Sequence, residues 1–156
     1  MMNATDKRPA TRAKTRILLV DDHPIVRQGL TQLIDHESDL TVTAQAETHS
    51  LAMQAVETQH IDLAIIDISL VGSNGIDLAK EIKARYPKLP VLMLTMHDEP
   101  IFAERAFLAG ARGYILKREA PGKIIGAIRI MLAGRQYITR EVAQKLGNND
   151  TWQDMQ

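Results

Sequence analysis

Three segments of this chain, Ile17–Val20, Leu63–Ile66 and Val91–Leu94, are apolar at every position. A strand with one face in water alternates apolar and polar residues, whereas a strand covered on both faces does not. The runs therefore imply a parallel sheet held between layers of helices. Leu40–Ala44 and Tyr114–Leu116 bring the set to five strands. Between them lie segments with helical spacing and helix punctuation. Pro24 opens a helix through Ile34, with Ile25, Val26, Leu30, Leu33 and Ile34 read as its buried face. Ser50 is read as the cap of a second, carrying Leu51, Ala52, Ala55 and Val56. Gly75 precedes a third, which ends before Pro87. Pro100 opens a fourth, with Ile101, Phe102, Ala106 and Leu108, and Gly110 closes it. Pro121 opens a fifth, and Gly134 follows it.

Five strands in strict alternation with five helices predict a doubly wound α/β fold with right-handed crossovers. One such strand order is 2-1-3-4-5, with its ligand crevice beyond the carboxyl ends of the strands. Alternation by itself leaves other orders open.

Composition removes several functions. Across 156 residues, Lys and Arg number 19 and Asp and Glu number 19, so the chain lacks the basic excess of a nucleic-acid binder. With no cysteine there is no disulfide, no thiolate zinc site and no cysteine nucleophile, which fits a reducing, cytoplasmic setting. No run reaches membrane-spanning length, and the first residues have no secretory pattern. Residues 1–15, with Lys7, Arg8, Arg12 and Lys14 against Asp6, read as a disordered basic leader. There is no GxxxxGK[ST] loop for a nucleotide and no histidine pair at i,i+4 for zinc. The histidines read mostly as surface residues.

The residues just past the strands carry the chemistry. Asp21 and Asp22 follow the first strand, Asp67 the third and Lys117 the fifth; Thr95 ends the fourth. In the order 2-1-3-4-5 these strands are neighbours, so the groups converge on one crevice. Three carboxylates in one place repel one another, and a hard cation such as Mg²⁺ relieves that repulsion. A carboxylate beside such an ion can attack a phosphoryl group and hold it as an aspartyl phosphate. A lysine ammonium offsets charge on the transferred group, and a hydroxyl can donate to it.

The motifs ILLVDDHPIVRQGL, LAIIDISLVGSNGIDL, VLMLTMHDE and GARGYILKREAP resemble the receiver domain of two-component response regulators, over about residues 16–134. DDHPIVRQGL, LTMHDE and GYILK are similar to the branch with a LuxR/NarL/FixJ-type C-terminal helix-turn-helix, and LAGRQYITREVAQKL to its linker. The resemblance implies a flavodoxin-like (βα)5 fold of order 2-1-3-4-5, with Asp67 as phosphoacceptor. It implies Mg²⁺ held by Asp21, Asp22, Asp67 and the Ser69 backbone carbonyl. Thr95 would be the switch hydroxyl, Lys117 the partner of a phosphoryl oxygen and Tyr114 the switch aromatic. Ser69 and His97 stand where relatives tune autodephosphorylation. Val71 and Arg118 replace prolines common in the family, and Met96 replaces a small residue.

The function so implied is that of a signalling switch rather than an enzyme. A sensor histidine kinase is the expected partner, a homodimer the expected assembly, and no membrane is involved. Residues 135–156 are expected to form a linker helix and polar tail. The helix-turn-helix is expected to be absent, so DNA would be reached only through an output domain outside this chain. The rival readings are a stand-alone receiver, a dimerisation module that needs no phosphorylation, and a Mg²⁺ phosphohydrolase. The last requires an acid two places after the nucleophile, where Ser69 stands.

Overall fold

The computed structural model describes residues 13–96 and 99–146. The expectations for the basic leader over residues 1–12, for His97 and for the tail over 148–156 lie outside the described residues.

The strands of the main sheet are β1 (Thr15–Val20), β2 (Leu40–Ala46), β3 (Leu63–Asp67), β4 (Val91–Thr95), β5 (Gly113–Leu116) and β6 (Tyr137–Ile138). The helices are α1 (Pro24–Asp35), α2 (His49–Thr58), α3 (Gly75–Arg85), α4 (Pro100–Leu108), α5 (Ala120–Leu132) and α6 (Arg140–Leu146). The sheet runs β2-β1-β3-β4-β5-β6, parallel at every pairing. The order 2-1-3-4-5 is thus present, with β6 added at the edge.

Each central strand sends alternate residues into two cores. Ile17, Leu19, Leu63, Ile65, Leu92, Leu94 and Ile115 pack with α1 and α5. Leu18, Val20, Ala64, Ile66, Met93, Tyr114 and Leu116 pack with α2, α3, α4 and α6. Both sets are buried, which is why the runs carry no polar alternation.

Three local readings are corrected. Thr48, not Ser50, caps α2: its hydroxyl accepts from the Leu51 amide at 3.1 Å, three residues on. On α1 only Leu30 and Ile34 are buried; Ile25 is 84% exposed and Leu33 38%, because α5 covers a narrower stripe than the helical period allows. On α4, Ala103, Ala106 and Phe107 form the buried face, while Ile101 and Leu108 face solvent.

The segment read as a linker joins the fold. Gly134, at φ +86°, turns the chain back after α5, and Tyr137 then donates to the Arg112 carbonyl at 3.0 Å. α6 packs against α4 and buries Val142 and Leu146 completely. The Arg118 guanidinium donates to both Glu141 oxygens, at 3.1 and 3.0 Å, tying the loop after β5 to α6. Leu146→Ala is therefore expected to lower unfolding stability by about 2 kcal/mol or more in urea titrations. A loss within about 0.5 kcal/mol, usual for a surface position, would show that α6 is peripheral.

Candidate functional site

β1, β3, β4 and β5 end on the same side of the sheet. The Asp21 amide donates to the Ala46 carbonyl at 3.0 Å, extending the β1–β2 pairing by one residue and fixing the Asp21 backbone. The Arg27 guanidinium donates to the Asp21 carbonyl at 2.7 Å. Asp67 is the last residue of β3 and Thr95 the last of β4, and both are buried. The Lys117 amide donates to the Thr95 carbonyl at 2.7 Å, so Lys117 leaves β5 level with them.

These side chains meet. Lys117 Nζ donates to Asp67 Oδ2 at 2.8 Å and lies 3.1 Å from Asp21 Oδ2. The Ser69 amide donates to Asp67 Oδ1 at 3.1 Å. That amide is held by a two-strand hairpin in which Ser69–Leu70 pairs with Ser73–Asn74, turning through Gly72 at φ +76°. Asp22 is half-buried beside them.

The charges are strained by burial. Burial pushes the Asp67 carboxyl up from its ordinary value; the Lys117 bond opposes this and the Asp21 charge adds to it. Burial pulls the Lys117 ammonium down, but the bonds and charges of Asp67 and Asp21 outweigh it, and its pKa is raised. In the unfolded chain Asp67 gives up its proton near about pH 4. Between that value and the higher folded one, the unfolded state binds fewer protons, so stability falls as pH rises. Metal-free wild type, measured against Asp67→Asn by urea unfolding, is expected to lose stability from about pH 4 up to the folded value and then level off. A difference that grows with pH would mean that Lys117 pairing dominates burial.

The donor set fits a hard divalent cation. One ligand atom each from Asp21, Asp22, His23 and Asp67 lies within 4.8 Å of the others. Asp21 Oδ2 has only the ammonium it shares with Asp67, at 3.1 Å, and Asp22 Oδ1 is buried without a hydrogen bond. One ammonium cannot neutralise three carboxylates, and carboxylate oxygens are the ligands that Mg²⁺ and Ca²⁺ favour.

The model of the response regulator receiver domain matches residues 17–129. This chain belongs to that family. Among curated relatives it is similar to the response regulator UvrY of Escherichia coli K12, 31% identical over 83% of this chain and 60% of UvrY. It is also similar to the transcriptional regulatory protein UhpA of the same organism, 35% identical over 85% of this chain and 66% of UhpA. The chain thus spans about three-fifths to two-thirds of these relatives. Among solved structures it is similar to a LuxR-family two-component response regulator from Aurantimonas sp. SI85-9A1. That likeness has 35% identity and a TM-score of 0.84, over 88% of this chain and 99% of the other.

In this receiver the structure brings Asp21, Asp22, Asp67 and Lys117 together and puts the Thr95 backbone beside Lys117. Ser69 reaches Asp67 through its amide. Tyr114 is fully buried in β5, in the core that also holds Val142 and Leu146. Val71 and Met96 are exposed at the rim. Sequence reasoning missed His23. Its Nδ1 lies 3.0, 3.2 and 3.7 Å from oxygens of Asp21, Asp22 and Asp67, and 2.9 Å from Lys117 Nζ. The one signal available was its place directly after Asp21-Asp22.

Proposed function

We propose that this receiver is a phosphoacceptor switch that takes a phosphoryl group from a histidine kinase onto Asp67. The observation that carries the reading is the buried Asp67 carboxylate bonded to Lys117 at 2.8 Å within the Asp21–Asp22 cluster. Asp21, Asp22, Asp67 and the Ser69 carbonyl would hold Mg²⁺, which when bound offsets negative charge on the transferred group. An Asp67 carboxylate oxygen forms the new O–P bond while the donor's P–N bond breaks. The leaving imidazole keeps the electron pair and picks up a proton. Lys117, donor-only and already at the carboxylate, pairs with a phosphoryl oxygen and is not consumed. Burial of Asp67 limits water, and Ser69 and His97 tune the return step, in which water attacks phosphorus and releases inorganic phosphate.

The phosphoryl group moves the population by favouring one state over the other. Thr95 supplies the hydroxyl that meets it, and Tyr114 reports the change through the core shared with α4 and α6. The relay serves transcription, a reading supported by UhpA's description as a transcriptional regulatory protein. Exposed Ile25 and Leu33 on α1 offer a face for a homodimer.

The test is intact mass after incubation with phosphoramidate, a small P–N donor, with and without Mg²⁺. One phosphoryl adduct that forms only with the cation and is lost to hydroxylamine is expected. No adduct at any donor concentration, on folded protein, would contradict the reading.

A further inference from the structure

His23 stands at the cation cluster with an unresolved hydrogen-bond role. Its Nδ1 faces Lys117 Nζ at 2.9 Å and Asp21 Oδ1 at 3.0 Å. An ammonium has only donors and an ionised carboxylate only acceptors. Nδ1 must therefore present a lone pair to one and a proton to the other, and it cannot do both. The Asp21 oxygen does not depend on the ring, since the His23 amide already donates to it at 2.8 Å. Asp22 Oδ1, 3.2 Å from the same nitrogen, is buried without a hydrogen bond. A cation between the nitrogen and the carboxylates gives their lone pairs one shared partner, and Lys117 keeps Asp67 as its acceptor at 2.8 Å.

The spacing suits that arrangement. Neighbouring ligands of an octahedral ion bound at about 2.1 Å lie about 3.0 Å apart. Nδ1 stands at 3.0 and 3.2 Å from the Asp21 and Asp22 oxygens. The ring is 53% exposed and makes no cap bond to α1, so it can adjust without disturbing the core.

We propose that His23 is a nitrogen ligand of this receiver's cation site and gives it a preference for borderline transition ions, such as Co²⁺, that an all-oxygen set lacks. Mg²⁺ gains little from imidazole, whereas affinity for nitrogen rises along the first-row series. The nearby Lys117 ammonium opposes every divalent ion alike, so it lowers affinity without setting the preference. The inference rests on the cation site of the proposed function.

The experiment titrates the full chain with Co²⁺, read by visible absorption and by calorimetry, and separately with Mg²⁺. The proteins are wild type, His23→Ala and His23→Gln, the latter keeping a polar side chain of similar length. Wild type is expected to bind one Co²⁺ that excess Mg²⁺ displaces. Both variants are expected to lose at least ~10-fold in Co²⁺ affinity and to change the Co²⁺ spectrum, with a several-fold smaller loss for Mg²⁺. Urea unfolding of both variants checks that they fold. Equal changes for both ions, no change for either, or Co²⁺ that Mg²⁺ does not displace would overturn the role of His23. Wild type that binds no Mg²⁺ would instead overturn the cation site itself.

Discussion

Asp67→Asn is expected to abolish phosphoryl uptake, to less than about 1% of wild type, while the protein stays folded. The amide preserves shape, and its oxygen still accepts from Lys117 or from the Ser69 amide. It carries no charge and is a poor nucleophile, so the O–P bond does not form. The effect is large because the other buried carboxylate is badly placed. Asp21 has its backbone held through Ala46 and Arg27, and its Oδ1 occupied by the His23 amide. Mass spectrometry under saturating donor gives the ratio directly. Uptake by the variant at wild-type rate would move the acceptor elsewhere.

Gly75→Ala is expected to give the largest loss of stability among single small substitutions near the site. A Cβ there would overlap the Asp67 carbonyl oxygen and stand 2.9 Å from Ile66 Cγ2. Neither can retreat: the oxygen belongs to the backbone at the end of β3, and the methyl is in the core. The Gly75 amide also donates to the Ile68 carbonyl at 2.6 Å, pinning the start of α3 to the strand end. Overpacking of this kind costs roughly 3 kcal/mol or more, because backbone has to shift. The shift acts on Asp67, the proposed phosphoacceptor, so uptake there is expected to fall as well. Urea unfolding together with phosphorylation yield tests both effects. Gly126→Ala is the control, because a Cβ there meets nothing within 4 Å.

The site was legible because the fold turns chain order into proximity. Asp21, Asp67, Thr95 and Lys117 each stand at the carboxyl end of a strand, and a parallel sheet brings those ends level. Asp67, read as lying just past the third strand, is the last residue of β3 itself, and Thr95 ends β4 as read. His23 was not legible in this way. Its neighbour Pro24 reads as a helix start, and only coordinates show the ring turned toward the acids rather than into solvent. β6 escaped because two residues carry no period, and its place depends on the turn at Gly134 and on an open edge of β5. The α1 stripe was overread for a different reason. Helical spacing identifies which residues share a face, as Leu30, Leu33 and Ile34 do. How much of that face is covered depends on where α5 lies, and no local pattern encodes that.

The measurement that bears most directly on the central claim is chemical mapping of the phosphorylated residue. Borohydride reduces an aspartyl phosphate to homoserine and releases phosphate, leaving a stable mark at the acceptor. Peptide mass spectrometry of donor-treated, reduced protein is expected to find homoserine at position 67 and aspartate retained at 21 and 22. Homoserine at 21 or 22, or intact Asp67 in protein that carries a phosphoryl group, would contradict the assignment.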